Sequence, residues 1–233
     1  MGTDFRHEYK YLCSFGQSVV LRHRLDCLMK KDSHTVGDGS YLIRSIYFDD
    51  PYDECFFDNE DGTDPRAKYR LRIYNCDDSF IALERKAKKN TMTHKDAARV
   101  TKDMALLMMR GEIPPVTDDM PQILKRMLTD MRQRAMKPAV IGQYLRVPYV
   151  EKAGNVRVTL DTDIASSQAI DRFFEKDIPL RKILPENRCL LEVKWDSFFP
   201  THLYSMLQLE QMQWTAFSKY YLCRKYNTGG FSL

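Results

Sequence analysis

The run Lys68-Tyr69-Arg70-Leu71-Arg72-Ile73-Tyr74 alternates basic and apolar side chains at nearly every step. Successive side chains of a strand point to opposite faces of a sheet, so Lys68, Arg70 and Arg72 share one face and Tyr69, Leu71 and Ile73 the other. The pattern recurs along the chain. Ala82, Glu84 and Lys86 oppose Ile81 and Leu83; Arg6, Glu8 and Lys10 oppose Phe5, Tyr9 and Tyr11; Tyr144 and Arg146 alternate with Leu145 and Val147. Arg157, Thr159 and Asp161 interleave with Val156, Val158 and Leu160, and Glu192 and Lys194 with Leu191, Val193 and Trp195. Strands that all carry one charged face either turn it to solvent or enclose it. An outward face is served equally well by Lys and Thr, whereas Arg mixed with Glu on nearly every strand suits a wet lumen holding a charged ligand. Many cations with a few carboxylates point to a phosphate-rich anion and a metal ion.

The remaining periodicity predicts strands at residues 5–11, 41–48, 67–74, 80–86, 139–149, 156–161 and 189–195, and helices at 17–30, 102–110, 120–135 and from 201 onward. Such helices can cover the apolar face of a barrel, and residues 58–64 and 111–121 read as a turn and a linker. With 233 residues, 43% of them hydrophobic, the chain can close one sizeable core, and we expect a single domain over residues 1–233. A net charge of only +4 excludes the uniformly basic surface of a non-specific nucleic-acid binder, so no nucleic-acid duplex is expected as a partner. The six cysteines form no CxxC pair, which argues against a zinc site and against a disulfide scaffold. The start MGTDFRHEYKY has no apolar signal core, and no stretch approaches the roughly 20 apolar residues of a spanning helix. The expectation is a soluble, cytoplasmic protein with no membrane segment in this chain.

RHEYKY near the start, IRSIYFDD at 43–50, KYRLRIY at 68–74, LERK at 83–86, QYLRVPY, RVTLDTDI at 157–164, LLEVK at 190–194 and FSKYY near the end occur in this order. Over nearly its whole length the chain resembles the polyphosphate polymerase (VTC, vacuolar transporter chaperone) domain of the CYTH, or triphosphate tunnel metalloenzyme, superfamily. The resemblance implies an α+β fold: an antiparallel eight-stranded β-barrel tunnel covered by helices, using Mn²⁺ or Mg²⁺ on phosphate-rich substrates. It implies synthesis of polyphosphate from ATP with release of ADP, so the expected partners are ATP and polyphosphate or triphosphate. Phosphate-binding catalytic roles carry over to Arg70, Arg72, Lys86, Arg146, Arg157 and Lys219. Substrate contacts carry over to Lys10, Lys95, Tyr144, Lys194 and Ser218, and the metal glutamate to Glu192; because Mg²⁺ and Mn²⁺ prefer carboxylate oxygen, Glu8 or Glu84 is expected to assist it. We expect this chain to carry neither the inositol-phosphate sensing domain nor the transmembrane region of the eukaryotic complexes, so that coupling to transport would need a separate membrane partner.

Blander readings stand beside these. Glu8 and Glu84 suit cross-strand pairing with basic neighbours as well as metal binding. Asp161 and Asp163 form a DxD that suits a metal, a turn or a helix cap. Lys219 fits a solvated helix face, and the five histidines show no metal-ligand spacing. Two other functions compete: hydrolysis of inorganic or other triphosphates, and non-catalytic binding of polyphosphate or inositol polyphosphates.

Overall fold

The computed structural model describes residues 6–32, 35, 37, 39–89, 92–208 and 212–227. In chain order the elements are β1 (His7–Ser14), α1 (Phe15–Leu28), β2 (Lys30–Lys31), β3 (Tyr41–Asp49), α2 (Glu54–Glu60), β4 (Arg66–Tyr74), β5 (Asp77–Lys89), β6 (Met92–Val100), α3 (Lys102–Arg110), α4 (Gln122–Arg134), β7 (Lys137–Glu151), β8 (Val156–Ser167), β9 (Arg181–Lys182), β10 (Arg188–Trp195), α5 (Thr201–Leu207) and α6 (Lys219–Asn227). The class is α+β. The chain divides into two compact units, one of Met1–Leu42, Tyr144–Ile164 and Leu184–Phe217, the other of Ile43–Gln143, Ala165–Ile183 and Ser218–Leu233.

In the first unit the strand order is β1-β10-β8-β7, with the short β2 also on β7. Pairings of β1 with β10 and of β10 with β8 are antiparallel and set Tyr11 opposite Leu191 and Leu191 opposite Leu160. The apolar sheet face thus gathers Tyr11, Val147, Tyr149, Val158, Leu160, Leu191 and Val193, against which α1 lays Leu21 and Leu25 and α5 lays Leu203 and Leu207. Each fully buried leucine contributes roughly 1.5–3 kcal/mol. A capping box starts α1: Ser14 Oγ accepts from the Gln17 amide, and Gln17 Oε1 accepts from the Ser14 amide.

In the second unit the order is β7-β3-β4-β5-β6, and β9 adds to the end of β8. Tyr69, Leu71, Ile73, Ile81 and Leu83 form its buried apolar face. α4 presents Ile123, Leu124, Met127, Leu128 and Met131, the i, i+4 spacing of a core-facing stripe, and Asp130 Oδ2 accepts from the Tyr69 hydroxyl at 2.7 Å. Asp49 and Asp50 of the IRSIYFDD motif are structural. Asp49 accepts from the Cys55 and Phe56 amides and from the Tyr220 hydroxyl of α6, while Asp50 accepts from the Tyr52 and Glu54 amides and pairs with Arg134. Together they tie the start of α2 to β3 and bind α6 to the same point. Arg44, 1% exposed, donates to Gln143 Oε1 at 2.7 Å and to the Phe173, Glu175 and Lys176 carbonyls, pinning that loop to β3.

Three elements differ from the sequence expectation. An eighth long strand, β6, lies where the sequence predicted no element, because as the last strand of the order its polar residues fall on both faces and leave no alternation to find. α2 replaces much of the turn expected at 58–64. The long C-terminal helix is two helices: α5 stops at Gln208 in the left-handed region (φ 52°), Trp214 bridges to Tyr11, and the Thr215 amide donates to the Lys10 carbonyl before α6 begins. An extended segment that completes the edge of β1 therefore interrupts the helical pattern. The first predicted strand begins at Phe5, which lies outside the described residues.

Candidate functional site

The charged face of the first unit is organised by strand register. Lys10 stands opposite Glu192 and Glu192 opposite Thr159; one row away, Glu8 stands opposite Lys194 and Lys194 opposite Arg157. Glu192 is 6% exposed and its carboxylate contacts the Lys194 ammonium directly and Lys10 Nζ at 4.0 Å. Lys10 Nζ also lies 3.3 Å from Glu8 and donates to the Phe217 carbonyl at 2.9 Å. Arg146 and Asp161, 7% and 0% exposed, form a bidentate pair at 2.6 and 2.7 Å. Burial alone would lower the Arg146 pKa, but Asp161 beside it holds the guanidinium well above its usual value, so it stays charged. The Arg146 guanidinium also lies 5.1 Å from the centre of the Tyr144 ring, which is itself buried. Arg157 donates to the Tyr41 hydroxyl at 3.0 Å and pairs with Asp32 at 2.8 Å.

On the second unit β4, β5 and β6 stack three cross-strand rows. Arg72 faces Ala82 and Ala82 faces Arg99; Arg70 faces Glu84 and Glu84 faces Ala97; Lys68 faces Lys86 and Lys86 faces Lys95. Glu84, 3% exposed, is the counter-ion of this face: Arg70 reaches it at 2.6 Å, Lys95 at 2.5 Å and Arg72 at 3.7 Å. Burial would raise its pKa, but Arg70, Arg72 and Lys95 outweigh that and hold the carboxyl far below the usual range. Arg72 Nε also lies 3.3 Å from Ser45 Oγ. Lys68 Nζ donates to Asn59 Oδ1 at 2.6 Å, sits over the Tyr220 ring and lies 3.5 Å from Ser218 Oγ. Ser218 Oγ accepts from the Tyr221 amide in the first turn of α6, and Lys219 follows it, half-buried.

The structure thus groups Lys10, Tyr144, Arg146, Arg157, Glu192, Lys194 and Glu8 on one face of the first unit. Arg70, Arg72, Glu84, Lys86 and Lys95 share one face of the second, with Ser218 near Lys68. Two metal readings change. Glu84 is crowded by three cations, which disfavour a further cation on the same carboxylate. The DxD does not converge: Asp161 is committed to Arg146, whereas Asp163 is exposed with left-handed backbone (φ 50°). Among the described residues no group of three or more His, Cys, Asp or Glu side chains is arranged to hold a metal. Glu192 and Glu8, themselves contacted by Lys194 and Lys10, are the carboxylates of the first unit that could hold Mg²⁺ or Mn²⁺, an ion commonly bound by one or two carboxylates and completed by water and substrate phosphate. Sequence reasoning missed Asp32, Tyr41 and Ser45, which carried no signal, and it placed Lys68 on the charged face without giving it a role.

No helix among the described residues is long and apolar enough to cross a membrane. The search of curated proteins found no match to this chain. Among solved structures, the PH1819 protein of Pyrococcus horikoshii OT3 is similar, with a TM-score of 0.52 at 11% identity, covering 95% of this chain and 99% of that one. A candidate adenylate cyclase of Bacillus halodurans is similar at TM-score 0.50 and 14% identity, covering 91% of each chain. These likenesses show the fold alone. The family model described as the VTC domain matches residues 5–227, and the chain belongs to that family.

Proposed function

We propose that this chain is a metal-dependent phosphotransferase that builds polyphosphate from ATP, releasing ADP. The observation that carries the reading is the row Lys68, Lys86 and Lys95, like charges set directly opposite one another on three adjacent strands. Lys95 is held by Glu84 and Lys68 by Asn59, and a polyanion lying along the row would give all three ammonium groups one shared further counter-charge. The buried cations of both units extend the same logic, since Arg72 and Arg146 are 5% and 7% exposed rather than solvated.

Phosphoryl transfer asks a protein mainly to hold donor and acceptor in line and to neutralise charge spread over the transferring oxygens. Arg70, Arg72 and Arg157 supply forked donors, Lys10, Lys86, Lys95, Lys194 and Lys219 supply point charges, and Tyr144 fixes Arg146 from below. Glu192 and Glu8 would hold Mg²⁺ or Mn²⁺, whose charge would further neutralise the transferring group. A phosphate chain end is already anionic, so the acceptor needs no general base. The membership in the VTC domain family supports the polymerase direction.

The test incubates purified protein with ATP and Mn²⁺ and resolves the products by size, with Glu192→Gln beside the wild type. Polyphosphate and ADP are expected from the wild type, with turnover lower by orders of magnitude in the variant, at roughly 1.4 kcal/mol per tenfold. Orthophosphate release without chain growth identifies a triphosphate hydrolase instead. Unchanged turnover in Glu192→Gln across a Mn²⁺ titration removes that residue from metal binding.

A further inference from the structure

Thr159 stands at the centre of the charged face of the first unit. It faces Glu192 across the β8–β10 ladder and lies two residues from Arg157 on one side and Asp161 on the other along β8. Its chain neighbours Val158 and Leu160 point the opposite way, into the core under α1 and α5. Thr159 is 2% exposed, and its Oγ1 has no hydrogen-bond partner among the described residues.

A buried hydroxyl with nothing to bond is unfavourable, and valine would fill the same strand position with the same shape and equal strand preference. The chain nevertheless places a hydroxyl there, among Lys10, Lys194, Arg157 and the Arg146–Asp161 pair. The nearby carboxylates are taken by their own cations, Glu192 by Lys194 and Asp161 by Arg146, so the hydroxyl is left to an acceptor from outside, and the acceptor that such cations gather is an anionic oxygen. We propose that Thr159 is a further substrate-binding residue, donating its hydroxyl proton to an oxygen of the phosphate chain held by Lys10, Arg157 and Lys194. The inference rests on the reading that a phosphate chain occupies this face. A neutral donor among charged ones adds direction: ammonium groups tolerate any approach, whereas one hydroxyl on a stiff β-branched side chain favours a single oxygen position.

The experiment measures tripolyphosphate binding by calorimetry, with and without Mn²⁺, to wild type, Thr159→Val and Thr159→Ser, and the melting temperature of each without ligand. Thr159→Val is expected to bind about tenfold to a hundredfold more weakly, the range of one hydrogen bond to a charged group. Its ligand-free melting temperature should be unchanged or higher, and Thr159→Ser should keep most of the affinity. Wild-type affinity in Thr159→Val overturns the proposal, as does a variant that loses melting temperature together with binding. Absence of tripolyphosphate binding to the wild type fails the underlying reading instead.

Discussion

Replacing Asp161 with Asn would remove the charge that accompanies Arg146 while keeping the side chain's size. In the structure the carboxylate is fully buried and takes two hydrogen bonds from the guanidinium, itself only 7% exposed. Removing one partner of a buried pair costs about 3–5 kcal/mol because the other charge is left without compensation. The asparagine oxygen still accepts one of the two bonds, which puts Asp161→Asn at about 3 kcal/mol, near the low end of that range. For a chain of this size about 1 kcal/mol moves the melting temperature by roughly 2–4 °C, so a fall of about 6–12 °C is expected by thermal denaturation. Tripolyphosphate should restore more melting temperature to the variant than to the wild type, since an anion beside Arg146 replaces part of the lost counter-charge. Replacing the exposed Glu112, which pairs with Arg110, is the control and should move the melting temperature little. A fall in Asp161→Asn no larger than the control's would refute the reasoning.

Glu84→Gln tests the counter-ion of the second unit through pH. Its folded pKa is depressed by Arg70, Arg72 and Lys95, so its stabilising charge is fully present above the unfolded value of about 4.3 and is lost as pH falls toward the folded one. The wild-type advantage in unfolding free energy over Glu84→Gln, measured by chemical denaturation, should therefore be constant from pH 7 to 5 and shrink by about 2 kcal/mol between pH 5 and 3; an advantage independent of pH contradicts the assignment. Arg44→Met should cost about 3 kcal/mol in chemical denaturation by stranding the carbonyls of Phe173, Glu175 and Lys176, with tripolyphosphate affinity unchanged; a variant as stable as wild type shows that the loop does not depend on Arg44.

The charged faces were legible because strand alternation is a local property: the parity of Arg70 against Leu71, or of Glu192 against Val193, follows from the sequence alone, and the ladders kept it. Partners across strands were not legible, because register depends on which strands meet. Nothing in the order of residues joins Arg146 to Asp161 rather than to Glu192, or surrounds Glu84 with three cations and Glu192 with lysines. β6 escaped notice for a related reason, since a strand with polar residues on both faces looks like a loop until a neighbour supplies its hydrogen bonds. The IRSIYFDD and FSKYY motifs were read for function, but Asp49 and Tyr220 join them as a structural fastening.

Because Glu84 already sits among Arg70, Arg72 and Lys95, that patch behaves like an ion-exchange resin preloaded with its own fixed counter-ion. An incoming anion takes Arg70 only in competition with a carboxylate that is tethered and therefore always at high local concentration. A monovalent anion offers little more than Glu84 does and gains little by the exchange. On the proposed function, a chain of linked phosphates would meet Arg70, Lys86 and Lys95 at once, each further contact coming without a new encounter. The carboxylate would then act as a valence threshold, favouring polyvalent chains over monovalent anions.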